Sequence, residues 1–119
     1  MNPLGFIFVG QSGCGKGTQS ELLQKYILSK NQQVLYIETG DEFRSFIERQ
    51  GFVNSLSKEA YMTDKLQPAF LACYLWTKKI LQEFNGDQHM ILDGVARTTE
   101  EAHTLDTAFS FLNFSKIII

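Results

Sequence analysis

Four short apolar runs alternate with longer segments in which apolar residues recur at helical spacing. The runs cover residues 4–9, 33–38, 90–93 and 114–119. Each is nearly continuous rather than alternating, as in strands that are buried on both faces of a parallel sheet. Strands that alternate with helices indicate βαβ units, so the pattern predicts an α/β fold with a parallel β-sheet flanked by helices.

Helices are predicted for the segments between the runs, at about residues 16–30, 41–50, 68–84 and 98–112. Pro68 suits the first turn of the third of these helices, which is apolar on two sides and is therefore expected to be central and buried. Residues 40–88 form a long insertion with at least two helices. It follows the carboxyl end of a predicted strand, where such folds place their ligand sites.

The clearest chemical signal is the segment GQSGCGKGTQ at residues 10–19, which follows a strand and opens a helix. Its glycines permit backbone conformations in which successive N–H groups and the helix N-terminus face one anion. Lys16 adds a mobile positive charge, so the segment is typical of a phosphate-binding loop rather than a plain turn. The predicted ATP phosphate-binding residues are Gly10, Gly13, Cys14, Gly15, Lys16, Gly17 and Thr18.

Composition narrows the class of protein. The chain has 119 residues, is 44% hydrophobic and 20% charged, and carries a net charge of −2. These values are typical of one globular domain and argue against a generally basic nucleic-acid binder. No apolar stretch reaches the roughly 18 residues of a membrane span. With only two cysteines and no recognisable signal peptide, we expect a cytoplasmic protein without nucleic-acid or membrane partners.

Three motifs, in order along the chain, resemble those of the adenylate kinase family of nucleoside monophosphate kinases. They are GKGTQ at residues 15–19, TGDEFR at 39–44 (family TGDxxR) and DGVART at 93–98 (family DGFPRT); DKLQP at 64–68 weakly resembles a GxLVP stretch beside the base pocket. The resemblance implies a P-loop kinase core over residues 1–119, with a helical monophosphate-binding insertion at about residues 39–68. It also implies transfer of the ATP γ-phosphoryl group to AMP, with Mg²⁺ as cofactor.

The resemblance also implies site roles. Lys16 and the loop amides would stabilise the transferring group, while Arg44 and Arg97 would hold the acceptor phosphate. Asp93 would organise Mg²⁺ through water, and Asp41 is expected to cap the helix that follows it. The predicted catalytic residues are Lys16, Arg44 and Arg97, and the predicted monophosphate site comprises Thr39, Gly40, Arg44, Gly94, Arg97 and Glu101.

Departures from the family pattern leave alternatives open. Val95-Ala96 replaces Phe-Pro, so Arg97 is expected to be held less firmly. Glu101 replaces a Gln that reads adenine in the family. An ionised carboxylate matches the two donors of guanine instead, unless Glu101 simply points to solvent. Cys14 is either a passive small residue, which we favour, or a redox-sensitive thiol.

The run at residues 114–119 is expected to form a fourth parallel strand of the kind that lies inside a sheet. The family's arginine-bearing lid and its last strand and helix have no counterpart here, since the arginines of the chain are Arg44, Arg49 and Arg97. We therefore expect a truncated core that is marginally stable, aggregation-prone or self-associating through this strand's edge. Alternatives are a kinase for another acceptor such as GMP and a catalytically incomplete nucleotide-binding module.

Overall fold

One parallel sheet organises the molecule, with its strands in the order β2-β3-β1-β4 among the described residues. The structure, a computed structural model, describes residues 3–9 and 15–119, without the side chain of Lys16. The strands are β1 (Leu4–Phe8), β2 (Gln33–Glu38), β3 (Gln88–Asp93) and β4 (Ser115–Ile118). The predicted α/β fold is confirmed, and β3 begins earlier than its apolar run because it includes the polar pair Gln88 and His89.

The helices are α1 (Lys16–Ser29), α2 (Thr39–Glu48), α3 (Phe52–Met62), α4 (Ala69–Glu83) and α5 (Thr99–Leu112). Three of them lie between β2 and β3, in line with the expected helical insertion. Helix α3 was not predicted as a separate helix. Its apolar residues Phe52, Val53 and Leu56 are exposed, so they do not form the inward-facing stripe that marks an amphipathic helix.

Helices cover both faces of the sheet, which explains the nearly continuous apolar character of the central strands. On one face, Ile37 and Leu92 belong to a core that includes Trp76 of α4 and Phe109 of α5. On the other face, β1 and β3 pack against Ile27 of α1. The sheet is thus held between α1 and the pair α4 and α5.

Helix α4 is central, as expected, but its two apolar sides differ. Trp76 and Ile80 pack in the main core, and Leu71 and Leu75 pack with Phe43 of α2. Three other apolar residues of the helix are exposed, namely Phe70, Tyr74 and Leu81. The helix therefore joins the sheet to the insertion without being buried all round.

Strand β4 forms one edge of the sheet and has exposed faces. It pairs with β1 at the edge of the sheet that the described residues form. Each residue of Ser115–Ile118 is exposed, because none of the described helices packs over these positions strongly enough to bury them. The parallel pairing is confirmed, and the exposed edge and apolar faces agree with what was expected for this run.

The register brings three strand ends to one level. Asp93 of β3 pairs with Phe8 of β1 on one side and with Glu38 of β2 on the other. The chain leaves β1 towards β2 and leaves β3 towards β4, on opposite sides of this pair. Such a switch point forms a crevice at the carboxyl ends of the strands, where open α/β sheets bind ligands.

Candidate functional site

A cavity of about 920 Å³ lies at these strand ends. The predicted site residues that line it are Gly15, Gly17, Thr18, Thr39, Gly40, Arg44, Asp93, Gly94, Arg97 and Glu101. Gly10, Gly13 and Cys14 lie outside the described residues, as does the side chain of Lys16. The structure therefore brings residues from all three motifs around one space, and their chemical roles stay predictions.

The N-terminus of α1 forms one wall of the cavity. Gly15 precedes the helix with φ +94°, a left-handed conformation that glycine adopts without steric cost. Gly17 and Thr18, in the first turn, line the same space. The free N–H groups and positive dipole end of the helix therefore lie beside the cavity, which suits an anionic ligand.

Arg44 reaches the cavity from α2, where two carboxylates hold its guanidinium. It donates to Asp41 and, at 3.3 Å, to Oε1 of Glu38. Asp41 was expected to cap this helix, and that expectation is wrong. The chain passes directly from β2 into α2 at Thr39, with the extended residue Glu38 at the N-cap, so Asp41 lies inside the first turn.

The pairing with Asp41 determines the charge of both groups. The Arg44 guanidinium lowers the pKa of the Asp41 carboxyl below its usual value. The hydrogen bond from Arg44 to Asp41 in turn raises the pKa of the guanidinium. Arg44 is thus a permanent cation at the mouth of the cavity, and its side chain is partly exposed to an incoming anion.

Arg97 is positioned by the backbone that follows β3. Its Nε donates to the carbonyl oxygen of Gly94 at 3.0 Å. Gly94 has φ +78°, and a Cβ at this position would lie 3.0 Å from Nη2 of Arg97. Ala96 has φ +62°, a conformation that proline, with φ near −65°, cannot adopt. The family motif has a proline before the arginine. Here the loop instead turns back through the positive φ angles of Gly94 and Ala96, and the Gly94 carbonyl orients Arg97.

Asp93 is buried and is bonded to a residue that the sequence did not single out. Oη of Tyr36 donates to Oδ2 of Asp93 at 3.0 Å and lies 3.4 Å from Oε2 of Glu38. Burial first of all, together with the two carboxylates, raises the pKa of Tyr36, against a lowering hydrogen bond with Ser20. Tyr36 is therefore a neutral donor between two acidic side chains.

Glu101 lies in the first turn of α5, and its side chain is 2% exposed. Thr98 caps the helix: its Oγ1 accepts from the N–H of Glu101 at 3.2 Å and donates to Oε2 at 3.3 Å. The alternative in which Glu101 points to solvent is thus wrong. Burial raises the pKa of the Glu101 carboxyl, although Thr98 and Arg97 oppose the shift.

Two buried oxygens on the cavity lining have no hydrogen-bond partner among the described residues. They are Oε1 of Glu101 and Oγ1 of Thr39. Leaving a buried polar group unpaired costs about 1–3 kcal/mol. A ligand with its own donors and acceptors would recover this cost, so the cavity wall at these residues suits a polar molecule.

The insertion supplies a further wall that the motif match only weakly indicated. Asp64, Lys65, Leu66 and Gln67 line the cavity, with Tyr61 of α3. Gln67 is held by Ser57, which donates to its Oε1 at 2.9 Å and accepts from its Nε2 through the backbone carbonyl at 3.0 Å. The segment between α3 and α4 is therefore anchored against the cavity.

Across residues 3–9 and 15–119 no helix is long and apolar enough to cross a membrane. The same residues contain no group of three or more His, Cys, Asp and Glu side chains able to hold a metal ion.

A parallel α/β sheet, a glycine-rich sequence between β1 and α1 and a cavity at the strand ends define a protein of the P-loop type. A family model described as "AAA domain" matches residues 9–119, and the chain belongs to this family.

Curated relatives agree with the adenylate kinase resemblance. The chain is 31% identical to adenylate kinase of Lactococcus lactis over 87% of its own length and 46% of the relative. It is 39% identical to adenylate kinase of Chlamydia pneumoniae over 86% of its length and 45% of the relative. It is 30% identical to adenylate kinase of Streptococcus mutans over 92% of its length and 50% of the relative. The chain thus spans about half the length of the curated relatives it matches.

Proposed function

We propose that this chain is the nucleotide-binding core of a nucleoside monophosphate kinase that transfers the γ-phosphoryl group of ATP to AMP. The observation that carries the proposal is the convergence of the described residues of three motifs on one cavity, with Arg44 and Arg97 on its lining. The adenylate kinase relatives support a kinase-like phosphotransferase. The low cysteine content, two residues in the chain, supports the cytoplasmic location that we propose.

The residues divide between the two substrates. The N-terminus of α1, with Gly15, Gly17 and Thr18, would hold the phosphates of ATP. The positive charge of Lys16 would stabilise the phosphoryl group during its transfer. Arg44 and Arg97 would bind the phosphate of the acceptor through charge-assisted hydrogen bonds. Two cations that hold one phosphate reduce its charge repulsion with the donor and orient its oxygen for in-line attack.

Asp93 fits a role in holding Mg²⁺, because it lines the cavity and pairs with Phe8 at the end of β1, which the glycine-rich segment follows in the sequence. When bound, the ion would neutralise charge on the phosphates. Tyr36 would keep the Asp93 carboxylate in one orientation through its hydrogen bond.

Two observations favour alternatives. Glu101 replaces the Gln of the family, which favours an acceptor other than AMP, such as GMP. The chain has arginines only at 44, 49 and 97, which favours a nucleotide-binding module that transfers phosphate slowly or not at all. Phosphoryl transfer depends on charge neutralisation and exclusion of water, and two site arginines supply part of the former.

The test combines calorimetric titration with a coupled assay for ADP formation, with MgATP and AMP, GMP, CMP or UMP. Arg44→Ala and Arg97→Ala should each weaken AMP binding at least tenfold, since a hydrogen bond to a charged group is worth about 1.5–3 kcal/mol. Arg49→Ala is the matched control, because Arg49 follows α2 and lines a separate surface pocket. Its AMP affinity should equal that of the unaltered chain.

The alternatives give different results. AMP binding with measurable ADP formation supports the kinase. Binding of ATP and AMP without turnover favours the binding module. Equal AMP affinities for the Arg44, Arg97 and Arg49 variants would contradict the proposed site.

A further inference from the structure

Two carboxylates share a single nitrogen of the Arg44 guanidinium. Nη2 of Arg44 donates to Asp41 and, at 3.3 Å, to Oε1 of Glu38. This nitrogen carries two N–H bonds, and a bidentate approach to a guanidinium uses one of them, end-on together with Nη1 or side-on together with Nε. A phosphate that binds Arg44 through two hydrogen bonds must therefore replace one of the two carboxylates.

Glu38 is the carboxylate in the better position to be replaced. It lines the cavity together with Arg44, whereas Asp41 lies in the first turn of α2 and is not among the described residues of the lining. The distance of 3.3 Å between Glu38 and Arg44 is also longer than the about 2.7–2.9 Å of a typical charge-assisted hydrogen bond. A phosphate that enters from the cavity thus approaches Arg44 on the side of Glu38.

The contact between Glu38 and Arg44 forms directly above the backbone at the start of α2. A Cβ at Gly40 would lie 3.2 Å from Oε1 of Glu38 and 3.3 Å from Nη1 of Arg44. Because glycine has no Cβ, both side chains have room to meet beside the cavity.

The other oxygen of Glu38 has a different partner. Oε2 lies 3.4 Å from Oη of Tyr36, which donates to Asp93. Glu38 and Asp93 are paired in the register of β2 and β3, so the hydroxyl of Tyr36 lies between two carboxylates. The side chain of Glu38 is 33% exposed. It can therefore turn from Arg44 towards this hydroxyl and water without becoming a buried, unpaired charge.

We infer that Glu38 is a positioning residue that competes with the acceptor phosphate, holding Arg44 in the empty site and giving up this contact when the phosphate binds. The inference rests on the proposed function, because it takes Arg44 as a ligand of the acceptor phosphate. The exchange replaces one contact to the guanidinium by another and leaves the negative charge of Glu38 beside the phosphate. Both effects lower the affinity of the site for its acceptor and favour release.

Calorimetric titration of AMP and of adenosine into the unaltered chain and into Glu38→Gln tests the exchange. Glu38→Gln should bind AMP about three- to fivefold more tightly, a change that corresponds to one exposed ion pair. Adenosine has no phosphate and should bind both chains equally. Replacing a side chain with a purely structural role would instead weaken AMP binding or leave it unchanged.

Glu42→Gln is the matched control, because Glu42 lies in the same helix as Arg44 but is 3.6 Å from Lys79 and lines a separate surface pocket. Its AMP affinity should equal that of the unaltered chain. Glu38→Ala removes the same charge and should also bind AMP more tightly. In an Arg44→Ala background the effect of Glu38→Gln should shrink, since the exchange requires the guanidinium.

Unchanged or weaker AMP binding in Glu38→Gln and Glu38→Ala would overturn the inference and leave the kinase proposal intact. Equal tightening of adenosine, or full tightening in the Arg44→Ala background, would overturn it in the same way. Tighter AMP binding in Asp41→Asn but not in Glu38→Gln would identify Asp41 as the displaced carboxylate, again against the inference. Failure of AMP to bind the unaltered chain would overturn both proposals.

Discussion

Gly94 and Arg97 show how one backbone conformation positions a functional side chain. Gly94 has a positive φ, its carbonyl accepts from Nε of Arg97, and a Cβ at residue 94 would lie in tight contact with the guanidinium, 3.0 Å from Nη2. The identity of residue 94 therefore controls both the local backbone energy and the direction of Arg97.

Gly94→Ala should lower the free energy of unfolding by about 1 kcal/mol through left-handed backbone strain. It should also weaken AMP binding, because the new Cβ displaces Arg97. Gly86→Ala is the control: Gly86 has φ +94°, but a Cβ there would meet no packed group of the described residues within 4 Å, so only stability should fall. Urea unfolding and AMP titration measure the two effects, and unchanged AMP affinity in Gly94→Ala would contradict this account.

Tyr36→Phe should destabilise the fold, because it removes a donor from the buried Asp93 carboxylate. Loss of such a partner costs about 1–3 kcal/mol. Tyr74→Phe in α4 is the control, since Tyr74 is 51% exposed and its hydroxyl is in contact with solvent. Urea unfolding of both variants tests this prediction, which fails if they prove equally stable.

At the scale of elements, strands were predictable from their apolar runs, as in β2, whose bounds match its run and whose side chains are buried on one face and mostly half-buried on the other. Burial on two faces produces a continuous apolar sequence, and that signal is local. The exposed side chains of β4 could not be predicted in this way, because an apolar sequence does not say which strands flank it. The start of α2 was misplaced because the chain enters that helix directly from β2, without a connecting turn.

Most residues of the site could be predicted because they lie in three short sequence motifs, at residues 15–19, 39–44 and 93–98. The contact between Tyr36 and Asp93 joins residues 57 positions apart, and it depends on the register of β2 against β3, which no local pattern reveals. The carboxylate at the end of β2, Glu38, was the one available signal, since strand ends converge on the site. The burial of Glu101 likewise depends on how α5 packs.

His89 links three segments of the sheet region. Its Nδ1 accepts from the N–H of Leu4 at 3.1 Å, and its Nε2 lies 3.0 Å from Oε1 of Gln32. The ring is neutral in this arrangement, with Nε2–H as donor, because a protonated Nδ1 cannot accept. Burial accordingly lowers the pKa of His89.

A lowered pKa in the folded state means that the unfolded chain binds the extra proton more readily. The contribution of His89 to stability is therefore present above about pH 6.5 and is lost as the pH falls through the lower folded-state value. Urea unfolding between pH 5 and 7.5 should show this loss. His103→Gln, which alters an exposed histidine, should retain it and His89→Gln should reduce it; equal slopes in these two variants would exclude His89 as the cause.

At the scale of the whole molecule, helices cover both faces of the central strands, and the apolar strand β4 lies at one edge of the sheet. Ile118 is 62% exposed and Ile119 49% exposed, on or beside a strand whose pairing within the described residues is with β1. An exposed apolar edge strand can pair with the same strand of a second molecule.

Ile118→Lys should reduce concentration-dependent self-association in sedimentation velocity, because a charge on an edge strand opposes pairing between molecules. Phe111→Lys is the control: Phe111 is 89% exposed on α5, away from the strand edge. If both variants reduce association equally, general surface hydrophobicity and not the edge is responsible. A monomeric unaltered chain at all concentrations would contradict the prediction.

The backbone conformation of the loop after β3 also limits which substitutions this loop can accept. Restoring the proline of the family motif by Ala96→Pro would force φ from +62° to about −65°. Restoring its aromatic neighbour by Val95→Phe would overfill a position that is 2% exposed, at a typical cost of about 1–3 kcal/mol. Each reversion alone is therefore costly in the present backbone, and a consensus-based redesign of this loop would have to change the backbone conformation as well.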